Sequence, residues 1–128
     1  TVASIDEAYL FLSNLTTIEY IRNAMKRVRK KNSAVLLASQ NIDDFLAPDV
    51  REYTKPLFAI PANRFLFYPG HVEQRDFCDA LSISPAEYAL IDRPERGVCL
   101  YHCGNARYLL QVQAPDFQAK LFGDAGGR

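Results

Sequence analysis

The sequence lacks several features that would assign it to a particular class of protein. No run reaches the roughly 18 consecutive apolar residues that a membrane-spanning helix needs. Its formal net charge is +0, so the surface as a whole exerts no general attraction on nucleic acid or anionic lipid. Only 3 cysteines are present, and this small odd number fits a reducing compartment better than a disulfide framework. At 128 residues the chain is nevertheless long enough for one domain with a hydrophobic core.

The first third of the chain has the pattern of a strand, a helix and a second strand. Two short apolar runs, residues 2–5 and 34–38, predict strands, and the unbroken run AVLLA is typical of a strand buried on both faces. A helix is predicted over about 16–31, with Thr16 or Thr17 as its N-cap. Four apolar residues recur along it at helical spacing: Ile18, Ile21, Met25 and Val28. This order predicts a parallel pair of strands joined by a right-handed crossover.

The rest of the chain predicts short helices and a β-hairpin. The segment NIDDFLAPDVREY indicates one or two helices broken near Pro48, and RFLFY a further strand. Helices are expected over 71–81 and 85–91, the second capped by Ser84 with Glu87 in the capping-box position. The run GVCLYHCGNARYLLQV predicts a hairpin that turns at Gly104 and Asn105. A short helix, APDFQAKLF, and a mobile tail over 122–128 are predicted to follow.

Two adjacent carboxylates, Asp6 and Glu7, follow the first strand directly. An apolar strand that ends in Asp-Glu is the Walker B pattern of nucleotide hydrolases, in which the aspartate holds Mg²⁺ and the glutamate polarises the attacking water. Acidic residues also end many strands that have no catalytic role. Taken alone, the pair therefore leaves both interpretations open.

A polar amide, Gln40, lies just past the second strand. Parallel neighbouring strands bring their carboxyl ends to one edge of the sheet, where ligands of open α/β folds bind. Gln40 is therefore expected near Asp6 and Glu7, where its amide would sense a γ-phosphate or orient water. The alternative is that Gln40 caps a helix that begins near Ile42.

Several segments together resemble one family of motor proteins. DEAYLFL, RVRKKNSAVLLASQNIDDFL, YTKPLFAIPANRFLF and RGVCLYHCGNARYLLQV follow one another in the chain. In this order they resemble the C-terminal part of the large VirB/TraC/TraE-type ATPases of conjugative type IV secretion, in the variant of Gram-positive conjugative elements. The resemblance implies an α/β fold. The implied fold is a partial RecA-like P-loop NTPase domain, with a mainly parallel sheet flanked by helices and a C-terminal hairpin.

The resemblance also implies roles for individual residues. Asp6 would hold Mg²⁺ with ATP, Glu7 would be the catalytic carboxylate, and Gln40 the sensor. An arginine that precedes the sensor strand would reach the nucleotide of a neighbouring subunit, and Arg29 occupies that place, with Arg27 as a weaker candidate. The alternative for Arg29 is an exposed cation that complements the negative pole of the helix dipole.

The phosphate-binding loop that such ATPases need has no counterpart in this sequence. The motif G-x-x-x-x-G-K-[ST] is absent, and no glycine is followed by lysine. Residues 1–128 are accordingly expected to be the C-terminal portion of a RecA-like ATPase domain without its Walker A part. The intact protein would hydrolyse ATP, whereas this portion alone is expected to be inactive and to hold neither ATP nor Mg²⁺. An unpaired edge of its central strand would favour self-association by strand pairing.

Partners and location are implied by the same resemblance. The intact protein would form a hexamer, contact secretion-channel proteins and lie at the cytoplasmic face of the cell membrane, to which those partners attach it. Two other functions remain open: a non-catalytic docking or oligomerisation module, and a DNA-translocating motor of the same superfamily. Direct nucleic-acid binding would use a basic cluster that consists of Arg22, Lys26, Arg27, Arg29, Lys30 and Lys31. Because these residues wrap around a helix without interleaved aromatics, a solvated face or a subunit interface is the competing interpretation.

Cys99, His102 and Cys103 are residue types that can bind zinc. On a strand, Cys99 and Cys103 share one face and His102 points to the other, so these side chains do not converge on one ion. Cysteine is also a common residue of hydrophobic cores. The pattern therefore favours packing over metal binding.

Overall fold

A computed structural model of the chain describes residues 1–12, 14–40 and 42–123. The strands in these residues are β1 (Val2–Ile5), β2 (Ala34–Leu37), β3 (Asn63–Leu66), β4 (Val98–Cys103) and β5 (Ala106–Gln111). The helices are α1 (Leu15–Arg27), α2 (Asp43–Leu46), α3 (Arg51–Ala59), α4 (Gln74–Leu81), α5 (Pro85–Tyr88) and α6 (Asp116–Phe122), with 3-10 turns at Ala8–Phe11 and Val28–Lys31. Among the described helices none has the length and hydropathy of a bilayer span.

The predicted strand, helix and strand are present as β1, α1 and β2. The two strands pair in parallel, with Val2 opposite Ala34 and Ile5 opposite Leu37. The N-cap of α1 differs from the prediction, because Asn14 occupies that position instead of Thr16 or Thr17. Its extended backbone lets Oδ1 accept the N–H groups of the residues two and three positions on, at 2.9 and 3.4 Å.

Both strands of this parallel pair are less buried than their sequences predict. One face, with Ile5 and Leu37, packs against a core that includes Ile18 of α1. The other face is open, and Val2 and Leu36 are 72% and 55% exposed. The prediction of a strand buried on both faces is therefore wrong for the described residues, since helices cover one side of the sheet only.

The remaining strands form a separate antiparallel sheet in the order β3-β4-β5. The hairpin at Gly104 and Asn105 is confirmed, with Cys103 opposite Ala106. The expectation of a mainly parallel sheet is not met, because the described chain contains one parallel and two antiparallel pairings. The strand predicted from RFLFY joins the hairpin instead of β2, since Leu66 pairs with Leu100 and packs into the second core.

Two short helices, α2 and α3, occupy the segment around Pro48 and are separated by Ala47 to Val50. The helix expected over 71–81 begins later, at Gln74, and the one expected over 85–91 ends at Tyr88. The capping box of α5 is confirmed: Ser84 Oγ accepts the Glu87 N–H at 3.2 Å, and Glu87 accepts the Ser84 N–H at 2.7 Å. Helix α6 includes Phe122, the first residue of the predicted tail, and 124–128 lie outside the described residues.

Two hydrophobic cores lie under the two sheets. The first joins β1 and β2 to α1, α2 and α3 through Ala8, Leu12, Ile18, Ile21, Phe45 and Leu57. The second joins the hairpin to α4 and α5 through Phe77, Cys78, Leu81, Ile83, Ile91 and Leu100. Phe58 packs against both cores. The carboxyl ends of β1 and β2 are thus held on a packed base.

Candidate functional site

The carboxyl ends of β1 and β2 form one edge of the parallel sheet. Two backbone hydrogen bonds tie the chain together just past the strands: the Ala38 N–H donates to Ile5 O and the Ala8 N–H to Ala38 O, both at 2.9 Å. Asp6 and Glu7 follow one strand end and Gln40 the other. These bonds fix the backbone from which the candidate side chains project.

Glu7 and Gln40 meet at this edge although 33 residues separate them. Gln40 Nε2 donates a hydrogen bond to Glu7 Oε1 at 2.6 Å. The other carboxylate oxygen, Oε2, is buried and accepts no hydrogen bond from the residues that the structure describes. Buried polar atoms are normally paired, so an unpaired carboxylate oxygen is unusual and sets Glu7 apart among the acidic residues that the structure describes. The side chains predicted to be neighbours are neighbours, while their roles stay predictions.

Glu7 has a backbone conformation that few non-glycine residues adopt. Its φ and ψ are 51° and 47°, in the left-handed region, which costs an L-residue roughly 1–2 kcal/mol. The Glu7 N–H is held by Asp6 Oδ1 at 2.9 Å. Such conformations cluster at functional sites, where surrounding contacts maintain them. The turn reverses the chain directly after β1 and directs the carboxylate of Glu7 toward Gln40.

The residues at this edge fit a magnesium ion that arrives with a nucleotide. Asp6 is exposed at the strand end, and Asp6, Glu7 and Gln40 all offer oxygen ligands, which Mg²⁺ prefers. Within the described chain no group of three or more His, Cys, Asp or Glu side chains is close enough to hold a metal alone. Mg²⁺ is commonly held by one or two carboxylates together with substrate phosphates. The donor set therefore suits a metal–nucleotide complex.

Arg29 lies at the other end of β2. Its backbone belongs to the 3-10 turn Val28–Lys31, which precedes β2, and its side chain lies outside what the structure describes. The four-residue strand β2, which spans about 13 Å, lies between this turn and Gln40. Arg27 is exposed at the last position of α1. The backbone at Arg29 therefore lies at the opposite end of β2 from Asp6 and Glu7.

Sequence reasoning missed a buried polar cluster in the antiparallel sheet. Arg64 Nη2 lies 2.9 Å from His102 Nδ1, and Arg64 Nη1 donates to Leu81 O at 3.0 Å. His102 is 1% exposed, and burial and the nearby cations Arg107 and Arg64 lower its pKa. Glu87, whose own pKa is lowered first by its hydrogen bond from Ser84, contacts Arg107 at 3.4 Å. Because Arg64 contacts His102 Nδ1 on β4 and the Leu81 carbonyl at the end of α4, the cluster ties β3 to both elements.

The opposite face of this sheet carries a row of aromatic rings. Phe65, Tyr101 and Tyr108 stand side by side on β3, β4 and β5, with ring centroids 4.5 and 6.1 Å apart. Phe65 and Tyr108 are about half exposed, at 49% and 51%. The sequence shows that each of these three strands carries an aromatic residue. It does not show that the three residues are neighbours, because that depends on how the strands pair. We call these three residues the aromatic row.

An apolar groove of about 420 Å³ lies between α1 and the β1–β2 sheet. Phe11, Tyr20, Ala24 and Val35 contribute to its lining. Asp6, Glu7 and Gln40 are not among its lining residues. The groove is therefore separate from the edge where the candidate side chains meet.

Comparison with a solved structure bears on the family resemblance of this chain. Over 94% of its length the chain superposes on the structure of VirB4 of Thermoanaerobacter pseudethanolicus, with a TM-score of 0.85 and 30% sequence identity. The resemblance to the VirB/TraC/TraE-type conjugation ATPases is confirmed. The chain spans 33% of the length of that VirB4 chain, so the likeness concerns one part of a VirB4 protein. No protein-family model matches the chain, and no curated protein matches it either.

Proposed function

We propose that this chain is the part of a VirB4-type ATPase that supplies the Walker B carboxylates and the sensor amide. ATP hydrolysis in the intact protein would energise transfer through a conjugative type IV secretion system. The observation that carries the proposal is the similarity to VirB4 over 94% of the chain. The contact between Glu7 and Gln40 supports it, because it joins two parallel strand ends at the edge where nucleotides bind in open α/β folds.

The chemistry follows from the side chains at this edge. Asp6 would hold Mg²⁺, and the bound ion would neutralise charge on the transferred phosphoryl group. Glu7 would polarise the attacking water through its carboxylate. Gln40 would hydrogen-bond to the γ-phosphate. The sequence contains no G-x-x-x-x-G-K-[ST] motif, so most of the phosphate binding would come from other residues of a RecA-like domain in the intact ATPase.

Assembly and partners belong to the same proposal. Arg29 lies at the end of β2 away from Asp6 and Glu7, which suits a residue that acts on a neighbouring subunit. In a hexamer such an arginine would stabilise charge on the transferred phosphoryl group of the adjacent site. The ATPase would work at the cytoplasmic face of the membrane together with proteins of the secretion channel. That location and those contacts follow from the family alone.

A second candidate is a DNA-translocating motor of the same superfamily, and one observation favours it. Lys26, Arg27, Lys30 and Lys31 are all exposed at the carboxyl end of α1 and in the turn that follows. Binding through them would weaken steeply as salt is raised, because each phosphate contact releases a counterion. Neutralising these four residues in the intact protein would abolish salt-sensitive DNA binding if they form the contact surface, and leave it unchanged if they do not.

A third candidate is a docking module without catalysis. The aromatic row favours it, since Phe65 and Tyr108 expose about half of their surface on one sheet face. Exposed aromatic residues are enriched where proteins bind one another. Retained assembly with the secretion channel by an intact protein that lacks ATP turnover would support this candidate over the ATPase.

The experiment that tests the ATPase proposal uses the intact protein that contains this chain. Glu7→Gln keeps a polar side chain of the same size but removes the carboxylate, so we expect ATP binding to persist and turnover to fall by about 10²-fold or more. Glu52→Gln, at an exposed position of α3, is the matched control and should turn over normally. Unchanged turnover in Glu7→Gln would remove Glu7 from the proposed role.

A further inference from the structure

The hydrogen bond between Gln40 and Glu7 uses the two groups that the proposed hydrolysis needs, the side-chain amide and the carboxylate. A carboxylate that polarises water must have an oxygen within hydrogen-bond reach of that water. Here Oε1 of Glu7 already accepts Gln40 Nε2–H at 2.6 Å, while Oε2 is buried and faces no donor among the described residues. The amide that would meet a γ-phosphate is thus bound to the carboxylate that would meet the water.

The backbone on the Glu7 side of this contact is held in place. The backbone of Glu7 is fixed by its left-handed turn, by the bond from its N–H to Asp6 Oδ1, and by the adjacent Ala8 N–H to Ala38 O bond. A change of partner at Gln40 therefore acts on Glu7 through side-chain torsions alone. Such torsional changes take picoseconds to nanoseconds when a side chain is exposed, which is fast compared with turnover.

We propose that the Gln40–Glu7 hydrogen bond is a latch that a γ-phosphate opens. This inference rests on the proposed function. Without a γ-phosphate, Gln40 holds the Glu7 carboxylate away from the water it must polarise. A phosphate oxygen that carries more negative charge than Oε1 takes over the amide N–H, and Glu7 turns to the water. Gln40 thus acts as a positioning residue, and the carboxylate becomes available only when ATP, and not ADP, is bound.

The test is a double-mutant cycle on nucleotide affinity in the intact protein. A non-hydrolysable ATP analogue and ADP, each with Mg²⁺, are titrated against wild type, Glu7→Ala, Gln40→Ala and the double variant. The measured quantity is the ratio of analogue affinity to ADP affinity. If the γ-phosphate must break the latch, Glu7→Ala frees Gln40 and raises this ratio about three- to tenfold more in the wild-type background than in Gln40→Ala, the size of one ordinary hydrogen bond.

The cycle separates the latch from simple charge repulsion. Removing the Glu7 carboxylate also relieves repulsion of the phosphate, but that gain is present in both backgrounds and cancels in the cycle. Equal gains in the two backgrounds would overturn the latch while leaving nucleotide binding, and hence the proposed function, in place. Failure of every variant, wild type included, to bind either nucleotide would overturn the proposed function and the latch with it.

A second measurement reports the bond in the 128-residue chain without nucleotide. The side-chain amide protons of Gln40, assigned by their loss in Gln40→Ala, should resonate away from those of the exposed Gln113. They should move to the Gln113 position in Glu7→Ala. Gln113→Ala serves as the matched control and should leave the Gln40 signals in place. Gln40 signals that coincide with those of Gln113 in the wild-type chain would overturn the latch regardless of any ATPase result.

Discussion

The two sheets of this molecule differ in how completely the chain covers them. In the parallel half (β1, β2 and α1 to α3), every residue of the two strands is at least partly exposed. In the hairpin half (β3 to β5, α4 and α5), β4 buries Cys99, Leu100 and His102 almost fully. The candidate catalytic side chains lie in the open half. The comparison teaches that the stability of the chain and its proposed chemistry depend on different residues.

The largest effect expected from this difference comes from shortening one leucine in each half. Leu100→Ala should lower the free energy of unfolding by about 2–5 kcal/mol, because the side chain is 2% exposed and leaves a cavity in the second core. Leu36→Ala, at a strand position that is 55% exposed, should change it by about 0.5 kcal/mol or less. Urea unfolding followed by circular dichroism measures both. Losses of equal size would contradict the contrast between the halves.

The next effect concerns the buried polar cluster of the hairpin half. Arg64→Ala removes the partner of His102 Nδ1 and the donor to Leu81 O, so we expect a loss of about 1–3 kcal/mol in the free energy of unfolding. Arg75→Ala, at a side chain that is 91% exposed on α4, is the matched control and should have almost no effect. A stable Arg64→Ala variant would show that the cluster contributes no stability.

A smaller loss in the free energy of unfolding is expected when His102 of the same cluster is protonated. Burial, with Arg107 and Arg64 nearby, lowers the pKa of His102 despite the opposing carboxylate of Glu87. The unfolded chain therefore takes up a proton near pH 6.5, at a higher pH than the folded chain does. The stabilisation is complete above about pH 6.5 and is lost as the pH falls toward the pKa of the folded state.

Urea unfolding midpoints measured from pH 7.5 down to pH 5 would report this loss of stability. His102→Asn should flatten the decline relative to the wild-type chain, whereas His71→Asn, at an exposed position, should leave it unchanged. An identical pH dependence in wild type and His102→Asn would show that another group titrates.

The weakest effect expected is association through the open half. Both edges of the two-stranded β1–β2 sheet lack a strand partner in the described chain, and the open face exposes Val2 and Leu36. We expect a concentration-dependent dimer in light scattering, weakened by Val2→Lys because a charged edge opposes strand pairing. A clean monomer at high concentration would contradict this prediction.

The sequence predicted the local elements better than their partners. The βαβ pattern, the capping box at Ser84 and the hairpin at Gly104 follow from short-range periodicity and turn chemistry, and each is present. The proximity of Glu7 to Gln40 was predictable as well, since parallel strands align their carboxyl ends. The left-handed backbone of Glu7 was not, because neither its own side chain nor its neighbours require it.

Other features depend on pairing or burial that no local pattern specifies. An apolar run such as AVLLA indicates a strand, but the number of layers that cover it depends on the rest of the molecule. Arg64 reads as a surface cation until the β3–β4 register sets it opposite His102. Asn14 and the two threonines after it are all good caps, and the extended backbone at Asn14 decides between them.

The aromatic row gives the hairpin half a contribution to the near-ultraviolet spectrum of the chain. The chain contains no tryptophan, so its near-ultraviolet absorption comes chiefly from tyrosine. Tyr101 lies between Phe65 and Tyr108, with the planes inclined at 16° and 27°, and closely stacked rings couple their electronic transitions. Near-ultraviolet circular dichroism, which reports fixed side-chain packing, therefore carries a contribution from β3, β4 and β5. This contribution adds to those of the five other tyrosines of the chain and needs no label.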